Sequence, residues 1–205
     1  MSTVIAISGL PGAGSTTVSK LLAEKLNIQH FSPGRLYKDI ATGKLANQDY
    51  YKTFKEICDK KGLIIPEQKN KDDSSGALNL WQTEFGKSSE LHKAIDELQA
   101  KLSEQSNIVF DGKLSLKMIE KANPKVWLTA SLKERAERTA ERDNLKKENA
   151  EEILKKRQEI ERKEWLNIYG IDYWEQEKTA SLTIDTTNLS PEQTAQKIIE
   201  QLQEK

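Results

Sequence analysis

The chain carries a single cysteine, Cys58, and two histidines, His30 and His92, in 205 residues. One thiol excludes an intrachain disulfide and fits a reducing compartment, so a cytoplasmic location is expected and Cys58 reads as a packing residue. The histidines stand alone, with no second ligand at metal spacing, which excludes a histidine-built metal centre. No apolar run approaches the roughly 20 residues of a membrane span. The first apolar segment has no basic stretch before it, so neither membrane nor leader is expected. Neither sign of charge dominates: Lys plus Arg and Asp plus Glu both number 32. That balance removes the global field that would favour nucleic acid. The length fits one compact α/β domain with room for an insert.

What is present is an alternation of short apolar segments with amphipathic ones. TVIAIS at 3–8 is apolar and β-branched and ends at Gly9, as a buried strand of a parallel sheet does. From Thr16 to Leu26 the residues Val18, Leu21, Leu22 and Leu26 fall at helical spacing. A short strand near 28–31 leads through the turn SPG into a helix from about Arg35 to Ala41. NIVF at 107–110, KVWLT at 125–129 and SLTID at 181–185 read as further strands. Ser131 with Glu134 three positions on matches a capping box, and a closing helix runs from Glu192 to about Gln203. Five strands with intervening helices predict a doubly wound parallel sheet. Residues 43–105 break this rhythm with polar helical segments, and EQKNKDDSSG at 67–76 has the composition of a disordered turn. Residues 133–165 are dominated by Lys, Arg and Glu at i,i+4 spacing, the pattern of solvated helices. The aromatic group Trp165, Tyr169, Tyr173 and Trp174 reads as packing for a helix end.

The chemistry sits in GLPGAGST at 9–16, which matches the phosphate-loop pattern GxxxxGK[ST] at Gly9, Gly14 and Thr16, with Ser15 in the lysine position. Such a loop turns its N–H groups inward, so an oxyanion rests in the nest at the positive end of the next helix. The loop follows a predicted buried strand and opens an amphipathic helix, which is the context the motif requires. Thr16 offers a hydroxyl for Mg²⁺. The missing lysine calls for other cations, which Arg135, Arg138, Arg142, Arg157 and Arg162 are placed to supply from a closing lid. Asp111 ends the third strand, where ligand sites gather in doubly wound sheets, and is a candidate to hold Mg²⁺ through water or to bind substrate. A helix cap before Leu114 is its alternative role.

With these residues in view, the chain resembles cytidylate kinases of the archaeal type, a branch of the nucleoside monophosphate kinases. That branch places a small hydroxyl residue where the general loop has lysine, as GLPGAGSTT does. SPGRLYKDIA at 32–41 resembles its monophosphate-binding turn and helix, and NIVFDGKL at 107–114 its nucleotide-holding strand and loop. KVWLTASLKERAERTAERDN at 125–144 and RQEIERKEWLNIYGID at 157–172 are similar to the strand and helices of its lid. TIDTTNLSPEQ at 183–193 is similar to its final strand and turn.

The resemblance implies an α/β P-loop three-layer fold with a five-stranded parallel sheet. It further implies a core of about 1–33, 106–140 and 178–205, a helical monophosphate-binding insert of about 34–105 and a helical lid of about 141–177. The implied reaction is phosphoryl transfer from ATP, with Mg²⁺, to CMP or dCMP. Gly9, Pro11, Gly12, Ala13, Gly14, Ser15, Thr16 and Thr17 would cradle ATP. Gly34, Lys38, Asp111, Gly112, Lys113 and Arg162 would face the acceptor, and Arg138, Arg142 and Arg157, with Asp111, would serve catalysis. The family usually has arginine where this chain has Lys38 and Lys113, and lysine does not reproduce the planar two-pronged contact of arginine with phosphate. Further arginines are expected near Leu98 and Glu164. Three readings therefore stand: a pyrimidine monophosphate kinase, a kinase of the same fold with another small acceptor, and a non-catalytic nucleotide-binding protein. The expected partners are small-molecule nucleotides, and the expected state is a monomer.

Overall fold

The structure, a computed structural model, describes residues 3–66, 80, 83–105, 107–144, 146 and 149–203. The disorder-like segment 67–76 lies outside the described residues. Two compact units make up the chain, Met1–His30 with Asn107–Lys205, and Phe31–Ser106.

The first unit is built on a sheet. Its strands are β1 (Val4–Gly9), β2 (Gln29–Phe31, at the unit boundary), β3 (Ile108–Asp111), β4 (Lys125–Thr129) and β5 (Leu182–Asp185), in the order β2-β3-β1-β4-β5. β1 runs parallel to both β3 and β4, and β4 parallel to β5. All six residues of β1 are buried, which is why its sequence is a continuous apolar run and not an alternation. The expected α/β fold with a five-stranded parallel sheet is the one found. One boundary differs in a useful way: β3 does not stop before Asp111 but includes it, opposite Ile7 of β1. Asp111 is therefore a strand residue at the sheet's carboxyl edge and no helix cap.

Helix α1 (Ser15–Leu26) covers one face of the sheet. Its Val18 and Leu22 pack with Ile5, Ile7, Val109, Val126, Leu128 and Ile184, and with Ala195 and Ile198 of the C-terminal helix (Pro191–Gln203). Beyond β4, the helix Leu132–Asp143 is capped by Ser131, whose Oγ accepts from the N–H of Glu134 at 3.3 Å; the other half of the expected capping box does not form, because the Ser131 N–H donates to Thr187 Oγ1 at 2.9 Å and Glu134 Oε1 accepts from Arg138. It packs against the long helix Ala150–Tyr169 through Ala136, Ala140 and Leu154.

The second unit is helical: α2 (Pro33–Thr42), α3 (Tyr51–Lys60), α4 (Glu84–Lys87) and α5 (Ser89–Gln105). Buried Leu36, Ile40, Phe54, Ile57, Leu91 and Leu98 form its interior. Leu98, near which an arginine is expected, is a packing residue. Cys58 is buried there too, and burial pushes its thiol up to about 11, so it stays a neutral packing group. In chain order the remaining helices are α6 (Ser115–Met118), α7 (Leu132–Asp143), α8 (Ala150–Tyr169) and α9 (Pro191–Gln203). Among the described residues no helix is long and apolar enough to cross a membrane.

Candidate functional site

β1 delivers the chain into the loop at Gly9, and α1 leaves it at Ser15. Between them Gly12 has φ +83°, and a Cβ there would lie 2.5 Å from the carbonyl oxygen of Arg135. Gly14, with φ +93°, caps α1, and nothing lies within 4 Å of where its Cβ would be. The loop is thus pressed against protein on one side and open on the other.

Two side chains set the direction of the loop's peptide groups. Arg135, only 6% exposed, donates from Nη1 to the carbonyl of Pro11 at 3.1 Å and to Gln158 Oε1 at 2.6 Å, and from Nε to the carbonyl of Ala130 at 2.9 Å. The Thr186 hydroxyl donates to the carbonyl of Ala13 at 3.0 Å. Across a planar trans peptide the carbonyl and the following N–H point opposite ways. Holding the Pro11 and Ala13 carbonyls outward therefore turns the N–H groups of Gly12 and Gly14 inward, the arrangement an anion nest needs. Arg135 differs from expectation: it is no mobile lid cation but the buried wall of the loop.

Asp111 is 3% exposed. Burial pushes its carboxyl above the usual range, while the nearby Thr16 and Ser15 hydroxyls and the charges of Lys113 and Lys20 pull it back. Ser15, in the lysine position, thus brings a hydroxyl and no charge near the strand-end acid. Among the described residues no group of three His, Cys, Asp or Glu is placed to hold a metal ion. The Thr16 hydroxyl and the Asp111 carboxylate are hard oxygen donors at the mouth of the loop, and this pair fits Mg²⁺, which prefers such ligands and keeps several waters.

Beyond Asp111, Gly112 donates its N–H to the carbonyl of Ile7 at 3.3 Å. The Lys113 carbonyl accepts from Ser8 Oγ at 3.1 Å and from Gln176 Nε2 at 2.5 Å. Lys113 Nζ lies 5.1 Å from the Tyr173 ring centroid and 3.2 Å from Glu161 Oε2. Glu161 Oε1 accepts from Arg157 Nε at 2.8 Å, and Arg157 Nη1 reaches Asp143 at 3.3 Å. Arg142 clasps the same Asp143 with two bonds of 2.7 and 2.8 Å. Burial pushes Glu161 up, but Lys113 and Arg157 outweigh it and hold the carboxyl below the usual range.

Lys113, Arg142 and Arg157 are thereby joined into one network by Glu161 and Asp143. Arg138 lies apart from it, donating to Glu134 Oε1 at 2.9 Å, Thr186 Oγ1 at 3.1 Å and the Thr186 carbonyl at 2.8 Å. Arg162 pairs with Asp172 and lies 4.5 Å from the Trp174 ring. Tyr173 is fully buried, as packing requires. In the helical unit, Gly34 and Lys38 are exposed on α2. Beside them Arg35 donates to buried Asp39 at 2.8 Å. Thr186, Glu161 and Gln176 are the site residues that sequence reasoning misses, while Arg135 is named by it in a different role. Only Glu161 carries a local signal, its i,i+4 spacing from Arg157.

Residues 4–188 match the model of the cytidylate kinase-like family. The cytidylate kinase of Pyrococcus horikoshii is 31% identical over 193 residues, covering 92% of this chain and 82% of that one. The cytidylate kinase of Methanocaldococcus jannaschii is 32% identical over 177 residues, covering 82% and 80%. Among solved structures, shikimate kinase from Acinetobacter baumannii in complex with shikimate aligns with a TM-score of 0.54 at 19% identity, covering 100% of this chain and 94% of that chain, a likeness of fold alone. A phosphate loop of this geometry, within a match that runs through nearly the whole chain, places the chain in the cytidylate kinase-like family.

Proposed function

We infer that this chain transfers the γ-phosphoryl group of ATP to CMP or dCMP, giving ADP and the corresponding diphosphate. The observation that carries the reading is the loop Gly9–Thr16, with its Pro11 and Ala13 carbonyls held outward and buried Asp111 near its Ser15 and Thr16 hydroxyls. The inward N–H groups and the positive end of α1 hold the phosphates of ATP. Thr16, with Asp111, would hold Mg²⁺, which when bound neutralises charge on the donor phosphates.

The acceptor phosphate is itself the nucleophile, so the protein supplies position and charge and no covalent partner. Lys113 and Arg157, with Arg142, offset the charge on the transferring group and the acceptor. Gly112 shapes the approach to Lys113. The helical insert at about 34–105, with Gly34 and Lys38, receives the monophosphate, and the segment at about 141–177 closes as a lid that excludes water. Arg138 steadies the turn at Thr186, and Arg162 anchors the lid to Asp172. The chain works as a cytoplasmic monomer on small nucleotides.

The test is a coupled ADP-release assay with ATP and Mg²⁺ against CMP, dCMP, UMP, AMP and GMP, each set against a control with no acceptor. Turnover with CMP or dCMP well above the other acceptors is expected. Nucleotide binding without release dependent on a pyrimidine acceptor would overturn the reading.

A further inference from the structure

Lysine is a compact charge on a flexible stem, so a lysine that must meet a phosphate in one place has to be held there. Lys113 is held at its backbone and at its tip. Its carbonyl takes hydrogen bonds from Ser8 and Gln176, and its ammonium sits above the ring of buried Tyr173. The tip meets Glu161, whose two oxygens serve two different cations: Oε2 lies 3.2 Å from Lys113 Nζ, and Oε1 accepts from Arg157 Nε at 2.8 Å. Glu161 is the more enclosed member of its pair with Arg157, its side chain 20% exposed against 46%. It therefore resembles a fixture more than a surface counterion. Its contact through Nε also leaves the far end of the Arg157 guanidinium directed elsewhere, where Nη1 meets Asp143 at 3.3 Å.

We propose that Glu161 is a positioning residue that sets Lys113 and Arg157 side by side as a paired cation for the acceptor phosphate. Two like charges left this close would separate, and one carboxylate between them removes that tendency while leaving one net positive charge for the ligand. The arrangement answers the replacement of arginine by Lys113: one lysine and one arginine, fixed by a shared carboxylate, present two donors in a set geometry. This inference rests on the phosphoryl-transfer reading above. It goes beyond that reading in assigning an acidic residue to a site for anions.

The test uses the full chain with Glu161→Gln, which keeps the shape and removes the charge, and Glu161→Asp, which keeps the charge. Steady-state constants are measured separately for CMP and ATP, with thermal midpoints alongside. Misplacing phosphate-binding groups by about 1 Å costs up to about a hundredfold, so the Gln variant should raise KM for CMP at least about tenfold and lower kcat. KM for ATP should stay within about twofold, and the Asp variant should recover part of the loss. Unchanged CMP constants in Glu161→Gln would overturn the proposal, as would tighter CMP binding, which would make the carboxylate a competitor of phosphate. A parallel loss for CMP and ATP that follows a fall in thermal midpoint would mark a purely structural role and overturn it equally. Should the wild type not turn CMP over, the parent reading fails, and calorimetric titration with inorganic phosphate still decides the Glu161 role. Weaker phosphate binding by the Gln variant supports it, and equal or tighter binding sinks it.

Discussion

The Thr186 hydroxyl donates to the carbonyl of Ala13 at 3.0 Å, joining residues 173 positions apart in the chain. The same oxygen accepts from Arg138 Nη1 at 3.1 Å and lies 3.1 Å from the carbonyl of Thr129. One side chain after β5 thus ties the phosphate loop, β4 and α7 together, and keeps the Gly14 N–H facing the ligand side. Thr186→Val preserves shape but leaves the Ala13 carbonyl without its donor. Losing one partner of a buried bond costs about 1–3 kcal/mol. The expected outcome is a lower thermal midpoint together with a severalfold rise in KM for ATP. A midpoint shift with no change in KM would show that the bond holds the fold but not the loop's direction.

Gly12 has no tolerable replacement. Its φ of +83° and the 2.5 Å approach of an added Cβ to the Arg135 carbonyl act together. A left-handed backbone costs a non-glycine residue about 1–2 kcal/mol before any clash. Gly12→Ala is expected to cost more than about 2 kcal/mol. At about 2–4 °C per kcal/mol for a chain of this size, that lowers the thermal midpoint by several degrees. Nucleotide affinity should fall with it, because relief of the clash displaces either the loop or Arg135. Retained ATP affinity at the wild-type midpoint would show that the loop accommodates a methyl group.

The strands and the phosphate loop could be read from the sequence because each leaves a local pattern: β1 is a buried apolar run, and Gly9 to Thr16 keep the motif's spacing. The contacts that make the loop work leave none. Arg135 sits three residues from Arg138 and seven from Arg142 in a run of charge, and nothing in the run separates them. Yet Arg135 is buried against Pro11, Arg138 is bonded to Thr186 and Arg142 is on the surface with Asp143. What sorts them is which face of α7 meets the phosphate loop and the turn after β5, a consequence of packing between segments distant in sequence. Asp111 shows the same limit. Its place at a strand end was readable, whereas its burial near the Ser15 and Thr16 hydroxyls depends on the register of β3 with β1.

Arg142 and Arg157 are expected to matter for turnover far more than for stability. Their pairs with Asp143 and Glu161 involve half-exposed guanidinium groups, and exposed ion pairs contribute only about 0–1 kcal/mol each. Phosphate oxygens can take the place of Asp143 at little cost. Arg142→Ala and Arg157→Ala should keep the wild-type thermal midpoint within a few degrees and bind ATP with nearly unchanged affinity. Their kcat should fall about a hundredfold or more, given what arginines contribute in phosphoryl transfer. Calorimetric ATP titration beside steady-state kinetics checks the split. Equal losses in affinity and kcat would argue against a role in the transition state.

His30 makes folding stability depend on pH between its ordinary and its folded value. Burial, and then the charge of Lys20, push its imidazole down to about 4 from an ordinary 6.5, and its Nε2 is buried without a hydrogen-bond partner. The folded state therefore keeps the ring neutral while the unfolded chain takes up a proton as pH falls through 6.5. The unfolded state binds more protons between the two values, so stability rises with pH there and is lost on acidification from 6.5 towards about 4. With partial exposure allowed for, the loss is on the order of 2 kcal/mol. His92 is lowered by burial as well and adds in the same direction. Asp172 and Glu161, held down by their cations, lose their contributions as pH falls through the lower carboxylate range, mostly below this window. Urea midpoints measured at about pH 7 and about pH 5 should differ clearly in the wild type and much less in His30→Gln, with the remaining slope set by His92 and, in the opposite sense, by Asp111, whose carboxyl is held above its usual range. An equal pH slope in the two proteins would place the proton uptake elsewhere and show that His30 is solvated in the folded state.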